Sequence, residues 1–162
     1  MADHLRDELT RLLDEYDTRR REDTQREQKA KDEEALFLKD FAELRRALIR
    51  PVFEAAGAML EARGHRVSIA EQEFASSAAG GIAEAGISLR VVALGTRAPL
   101  HEDQPSLSIV TRHYNRTVWI NSGEASKAGG MAGAKGAYAL EKVTRELIED
   151  EVIAFVARVV AS

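Results

Sequence analysis

The chain has 162 residues, 44% hydrophobic and 31% charged, a composition ordinary for a soluble protein of one domain plus an extension. It has no cysteine, which excludes disulfides, thiolate metal sites and cysteine nucleophiles. The net charge of −4 is uneven: residues 1–40 hold nine Lys+Arg against thirteen Asp+Glu, while 41–162 hold fourteen of each, and this balance argues against a general nucleic-acid binder.

No Gly or Pro occurs from Met1 to Arg50. Both residues punctuate helices, so the segment reads as one very long helix or two in series. A continuous helix of that length would reach roughly 75 Å. A compact domain has no room for it, so it is expected to project and meet a partner. Leu5, Leu9, Leu12 and Tyr16 form a helical stripe. Asp7–Arg11 and Glu15–Arg19 are suited to i,i+4 pairing, as are Glu22–Arg26 and Glu27–Lys31 further on. Residues 17–34 are mostly charged, with Ala30 as their one apolar side chain, and offer no seam. The arm is therefore expected to cover 1–34, with a globular domain over 35–162.

The stripe resumes at Phe37, Phe41, Leu44, Leu48, Val52, Ala55 and Met59, on a face too wide for a two-stranded seam alone. Pro51 either kinks this helix or opens a new one after Arg50, and Gly64 is its expected stop. The arm is read as a coiled-coil device for homo-oligomers, with distal contacts at Leu5, Leu9, Leu12 and Tyr16 and proximal ones at Phe37, Phe41 and Leu44. The competing reading is an amphipathic helix packed on its own domain, because the charged middle breaks the heptads.

Beyond Gly64 the period becomes two. Val67 and Ile69 open a strand that runs toward Phe74, and Ala75 to Ala85 is a small-residue stretch. Ile87, Leu89, Val91 and Ala93 form a second strand ended by Gly95, and 96–105 reads as a loop. Leu107 and Ile109 begin a third strand reaching Tyr114. A tight turn at Asn115–Arg116 leads into a fourth, Thr117–Ile120. A Gly-rich connector precedes a last helix from about 137 to 160, striped by Leu140, Val143, Leu147, Ile148, Val152, Phe155 and Val159. The expected fold is α+β: a four-stranded antiparallel meander covered on one face by helices, in the order α-α-β-β-β-β-α.

From Gln104 to Gly123 there is no Asp or Glu. A hairpin here would place Arg112, Tyr114 and Trp119 on one face with Arg116 at the turn. Guanidinium with aromatic is a combination that stacks on bases or holds anions. The alternative function is thus a binding domain for an anionic small ligand or single-stranded nucleic acid. The plainer reading is an ordinary amphipathic hairpin.

The segment Gly129 to Gly136 lacks both the P-loop and the dinucleotide spacing, and reads as a connector. His4, His65, His101 and His113 show no metal-ligand spacing, and His101-Glu102-Asp103 reads as a solvated loop. No serine lies in Gly-x-Ser-x-Gly. No catalytic residue, metal or cofactor is assigned. The N-terminal residues lack a secretory pattern, and the run Val152–Ala157 is far short of a membrane span. A cytoplasmic location is expected. Arg outnumbers Lys seventeen to six, a bias consistent with a GC-rich bacterial source. The function expected first is a non-enzymatic, homo-oligomeric interaction or scaffold module, its partner unassigned.

Overall fold

The computed structural model describes residues 2–95, 104–123 and 134–161. The chain forms two compact units, residues 1–36 and 37–162.

The described residues of the first unit are all helical, within α1 (Ala2–Leu44). Residues 2–32 are all exposed. A lone helix has no interior, so its order rests on backbone hydrogen bonds and surface pairs. Arg11 bridges Glu8 at 2.9 Å and Glu15 at 3.1 Å, and Arg26 bonds Asp23 at 2.9 Å. These are not the partners expected for Arg11 and Arg26. Each long side chain has several carboxylates within one turn, and exposed pairs differ by only tenths of a kcal/mol.

In the second unit α1 continues through Phe37 and Phe41 into a π turn (Arg45–Ile49), and α2 follows (Arg50–Ala62). Residues Phe37, Phe41, Arg45, Ile49 and Phe53 are all buried and stand four apart. At about 3.6 residues per turn such a row drifts around an α-helix by about 40° per step. The π turn absorbs one extra residue and brings the row back to the core. Arg46 hydrogen-bonds Glu43 across the entry to this turn and holds that carboxyl below the usual carboxylate range. Pro51 sits in the first turn of α2, directly after the π turn, so its missing N–H falls where the helical bonding pattern changes. Gly64, with φ +92°, ends the helix. Its N–H bonds Glu61 O at 3.0 Å and His65 N–H bonds Leu60 O at 3.1 Å. These are the two bonds of a Schellman stop.

The sheet is an antiparallel meander of five strands: β1 (Arg66–Gln72), β4 (Gly86–Val92), β5 (Ser106–Arg112), β6 (Thr117–Gly123) and β7 (Ala134–Tyr138). A two-stranded hairpin, β2 (Ala75–Ser76) with β3 (Ile82–Ala83), lies in the small-residue stretch between β1 and β4. The α+β class therefore stands, with five strands in the sheet and not four. The added strand, β7, falls where the sequence reads as connector and helix start. It has no alternation, and an extra residue opposite Trp119/Ile120 makes a bulge. Its strand character comes from pairing with β6.

The last helix, α3 (Arg145–Ala161), begins later than expected. Leu140–Lys142 is a 3-10 turn, and Thr144 opens the helix by accepting the Leu147 N–H at 3.2 Å. The expected loop 96–105 and the Gly129–Gly133 part of the connector lie largely outside the described residues, as do His101, Glu102 and Asp103.

Register puts Val67, Ile69, Ile87, Leu89, Val91, Leu107, Ile109, Val118 and Ile120 on one sheet face. This face meets Phe37, Phe41, Ile49, Phe53, Ile148, Val152 and Phe155 in one continuous core. The opposite face carries the alternate residues and faces away from that core.

Candidate functional site

Two surfaces collect the side chains singled out by the sequence. The first is the arm stripe. Leu5, Leu9, Leu12 and Tyr16 are exposed by 61, 46, 49 and 54%, with Leu13 beside them. The proximal set differs. Phe41 is fully buried, Phe37 is nearly so, and Leu44 packs against the same core. These three serve their own unit and have little surface to give a second copy. They are part of the wide apolar face that the spacing itself shows.

The second surface is the β5–β6 hairpin. Its loop is His113–Arg116, four residues and not the expected two. The left-handed position is Arg116, with φ +54°, and not Asn115. Register places Val110 opposite Trp119 and Arg112 opposite Thr117. Arg112 and Trp119 are thus diagonal neighbours on one face. The Arg112 guanidinium lies 5.2 Å from the centre of the Trp119 ring, within cation–π range. The indole N–H donates to Thr117 Oγ1 at 3.2 Å, and that hydroxyl donates to Asn115 Oδ1 at 2.6 Å. The ring is thereby held in one orientation. Tyr114 does not join them. It lies exposed in the loop, edge-on to His113 at 5.7 Å.

Three further groups stand out that the sequence reading missed. Arg45 is buried in the π turn. It donates to Gln72 O at 3.1 Å and Gly86 O at 3.2 Å, pairs with Glu73, and lies 3.5 Å from Glu71. Its signal was its place in the four-residue row between Phe41 and Ile49. Glu84 accepts the His113 N–H at 3.2 Å and pairs with His113 Nδ1 at 2.9 Å, with the Phe74 ring tilted against the imidazole at 4.8 Å. No local sequence signal joins residues so far apart. Lastly, Arg90, Ser88 and Ser108 share the outward sheet face, where a concavity of about 300 Å³ opens. Alternation in β4 and β5 separates the two faces, but only strand order makes these residues neighbours.

Among the described residues no group of three or more His, Asp or Glu is placed to hold a metal ion. No described helix is long and apolar enough to cross a membrane. Comparison with protein-family models, curated proteins and solved structures gives no match to this chain.

Proposed function

We propose that the protein is a non-catalytic interaction module that assembles with its own kind through the distal arm. The observation that carries this reading is the exposure of Leu5, Leu9, Leu12 and Tyr16 on a unit with no interior of its own. Their spacings of four, three and four fit the a and d positions of a short coiled coil.

Magnitudes bound the strength of this assembly. A seam between two copies buries eight such side chains, and because each is already about half covered the gain is about half of the 1.5–3 kcal/mol of full burial apiece. Association costs about 4–15 kcal/mol in lost freedom. The seam therefore supports a weak, concentration-dependent assembly and not an obligate one. Replacing Leu9 and Leu12 with Lys is expected to reduce the mass measured by light scattering at high protein concentration to that of one chain. A mass unaffected by the double substitution removes the distal seam.

A further inference from the structure

We infer that Glu15 of one arm pairs with Arg20 of a second copy, and that this pair fixes the two arms parallel and in register. This pairing rests on the arm assembly proposed above, and it names the partner: the same stripe of a second chain, running in the same direction.

Spacing sets the flanks of the seam. With Leu9 and Tyr16 at a and Leu5 and Leu12 at d, the g positions are Glu8 and Glu15, and the e positions are Arg6, Leu13 and Arg20. Arg19 takes the next d position and ends the apolar layers there. All of these residues are exposed, so the flanks can meet another chain along with the stripe.

Charge then selects between two alignments. In an antiparallel pair each a layer meets a d layer, so Leu5 lies opposite Tyr16 of the second copy and Leu9 opposite its Leu12. The g positions face each other, and Glu8 meets Glu15 of the second copy on both sides of the seam. In a parallel pair like layers meet, and each g position faces the e position five residues on. Glu15 then meets Arg20 of the second copy, again on both sides, while Glu8 meets Leu13. Two like-charge contacts thus stand against two ion pairs over the same apolar layers, and the parallel alignment is favoured.

Both members are placed to pair. Among the described residues the Arg20 guanidinium has no hydrogen-bond or ion-pair partner. Glu15 accepts from Arg11 through Oε1 at 3.1 Å, and Oε2 remains to accept a second donor. Arg11 also holds Glu8, and it does so from the c position, outside the seam. That brace is the same in either direction and does not decide between them.

The test measures self-association of the full chain by sedimentation equilibrium. Glu15→Arg should weaken assembly roughly tenfold, because two ion pairs become two repulsions. Arg20→Glu should do the same. An equimolar mixture of the two variants should recover the affinity of the parent, since each arginine then meets a glutamate. Antiparallel arms give a different result: Glu15→Arg gains Glu8 as a partner and tightens assembly, and Arg20→Glu has no effect. A second readout uses the absence of cysteine and the place of Ala2 at an a position. Ala2→Cys should yield a disulfide-linked pair of chains on mild oxidation, whereas antiparallel arms hold the two sites about 25 Å apart. Tightening by Glu15→Arg, no change with Arg20→Glu, or no disulfide in an intact assembly overturns the inference. If Leu9→Lys with Leu12→Lys still abolishes assembly, the seam itself survives that outcome. A parent chain that does not assemble removes both.

Discussion

Arg45 is the residue on which the second unit concentrates its polar contacts. A buried guanidinium is costly to desolvate, and here the cost is offset by two carbonyls and two carboxylates. Replacing it with Met keeps the length and the apolar stem but leaves the Gln72 and Gly86 oxygens without their donor. Glu73 is largely exposed and can return to water, so the loss falls below that of a fully enclosed pair. Arg45→Met is expected to lower unfolding free energy by about 2–4 kcal/mol in urea titration. Arg45→Lys should fall between, because one ammonium nitrogen can replace Nη1 at the two carbonyls but not Nη2 and Nε at the carboxylates as well. A loss for Met of under about 0.5 kcal/mol, the scale of an ordinary surface change, would show the contacts to be incidental.

At the scale of elements, Gly86 shows how register and helix packing meet. A Cβ built on it would lie 2.9 Å from the Ile109 carbonyl oxygen. That atom belongs to a neighbouring strand and cannot swing aside. Gly86→Ala should therefore shift the start of β4 against β5 and cost about 1–3 kcal/mol. Amide exchange faster at 86–88 and 108–110 than elsewhere in the sheet would locate the damage, and a stability equal to the parent's would refute the steric argument.

Elements with local causes were legible in the sequence. Gly64 stops α2 because the left-handed position suits glycine, and β4 and β5 alternate because one face is buried. The shared face of Arg112 and Trp119 follows from the same period of two, but their diagonal register depends on the four-residue loop. Elements with non-local causes were not legible. The segment Ala134-Lys135-Gly136-Ala137-Tyr138 has no pattern of its own, and β6 makes it a strand. Leu140 and Val143 continue the spacing of α3 and so hid the 3-10 turn that separates it from β7. Arg66 and Arg90 needed strand order before they became neighbours.

For the whole molecule, the charge on the arm sets how its proposed assembly responds to salt. Side chains of residues 1–16 carry Arg6 and Arg11 against Asp3, Asp7, Glu8, Asp14 and Glu15. Like-charged arms repel one another, and salt screens that repulsion over a Debye length of about 10 Å at 0.1 M. Assembly through Leu5, Leu9, Leu12 and Tyr16 should therefore strengthen as salt is raised. Sedimentation velocity across a salt series will show the trend, and a mass that falls as salt is raised would refute it.

The grip of Arg45 has an evolutionary side. It holds main-chain oxygens at positions 72 and 86, atoms that every amino acid supplies. Drift at position 72 therefore leaves those contacts in place, whereas loss of the arginine cannot be compensated by any change at its acceptors. Among descendants of this chain, the arginine should outlast the identities of the residues it binds.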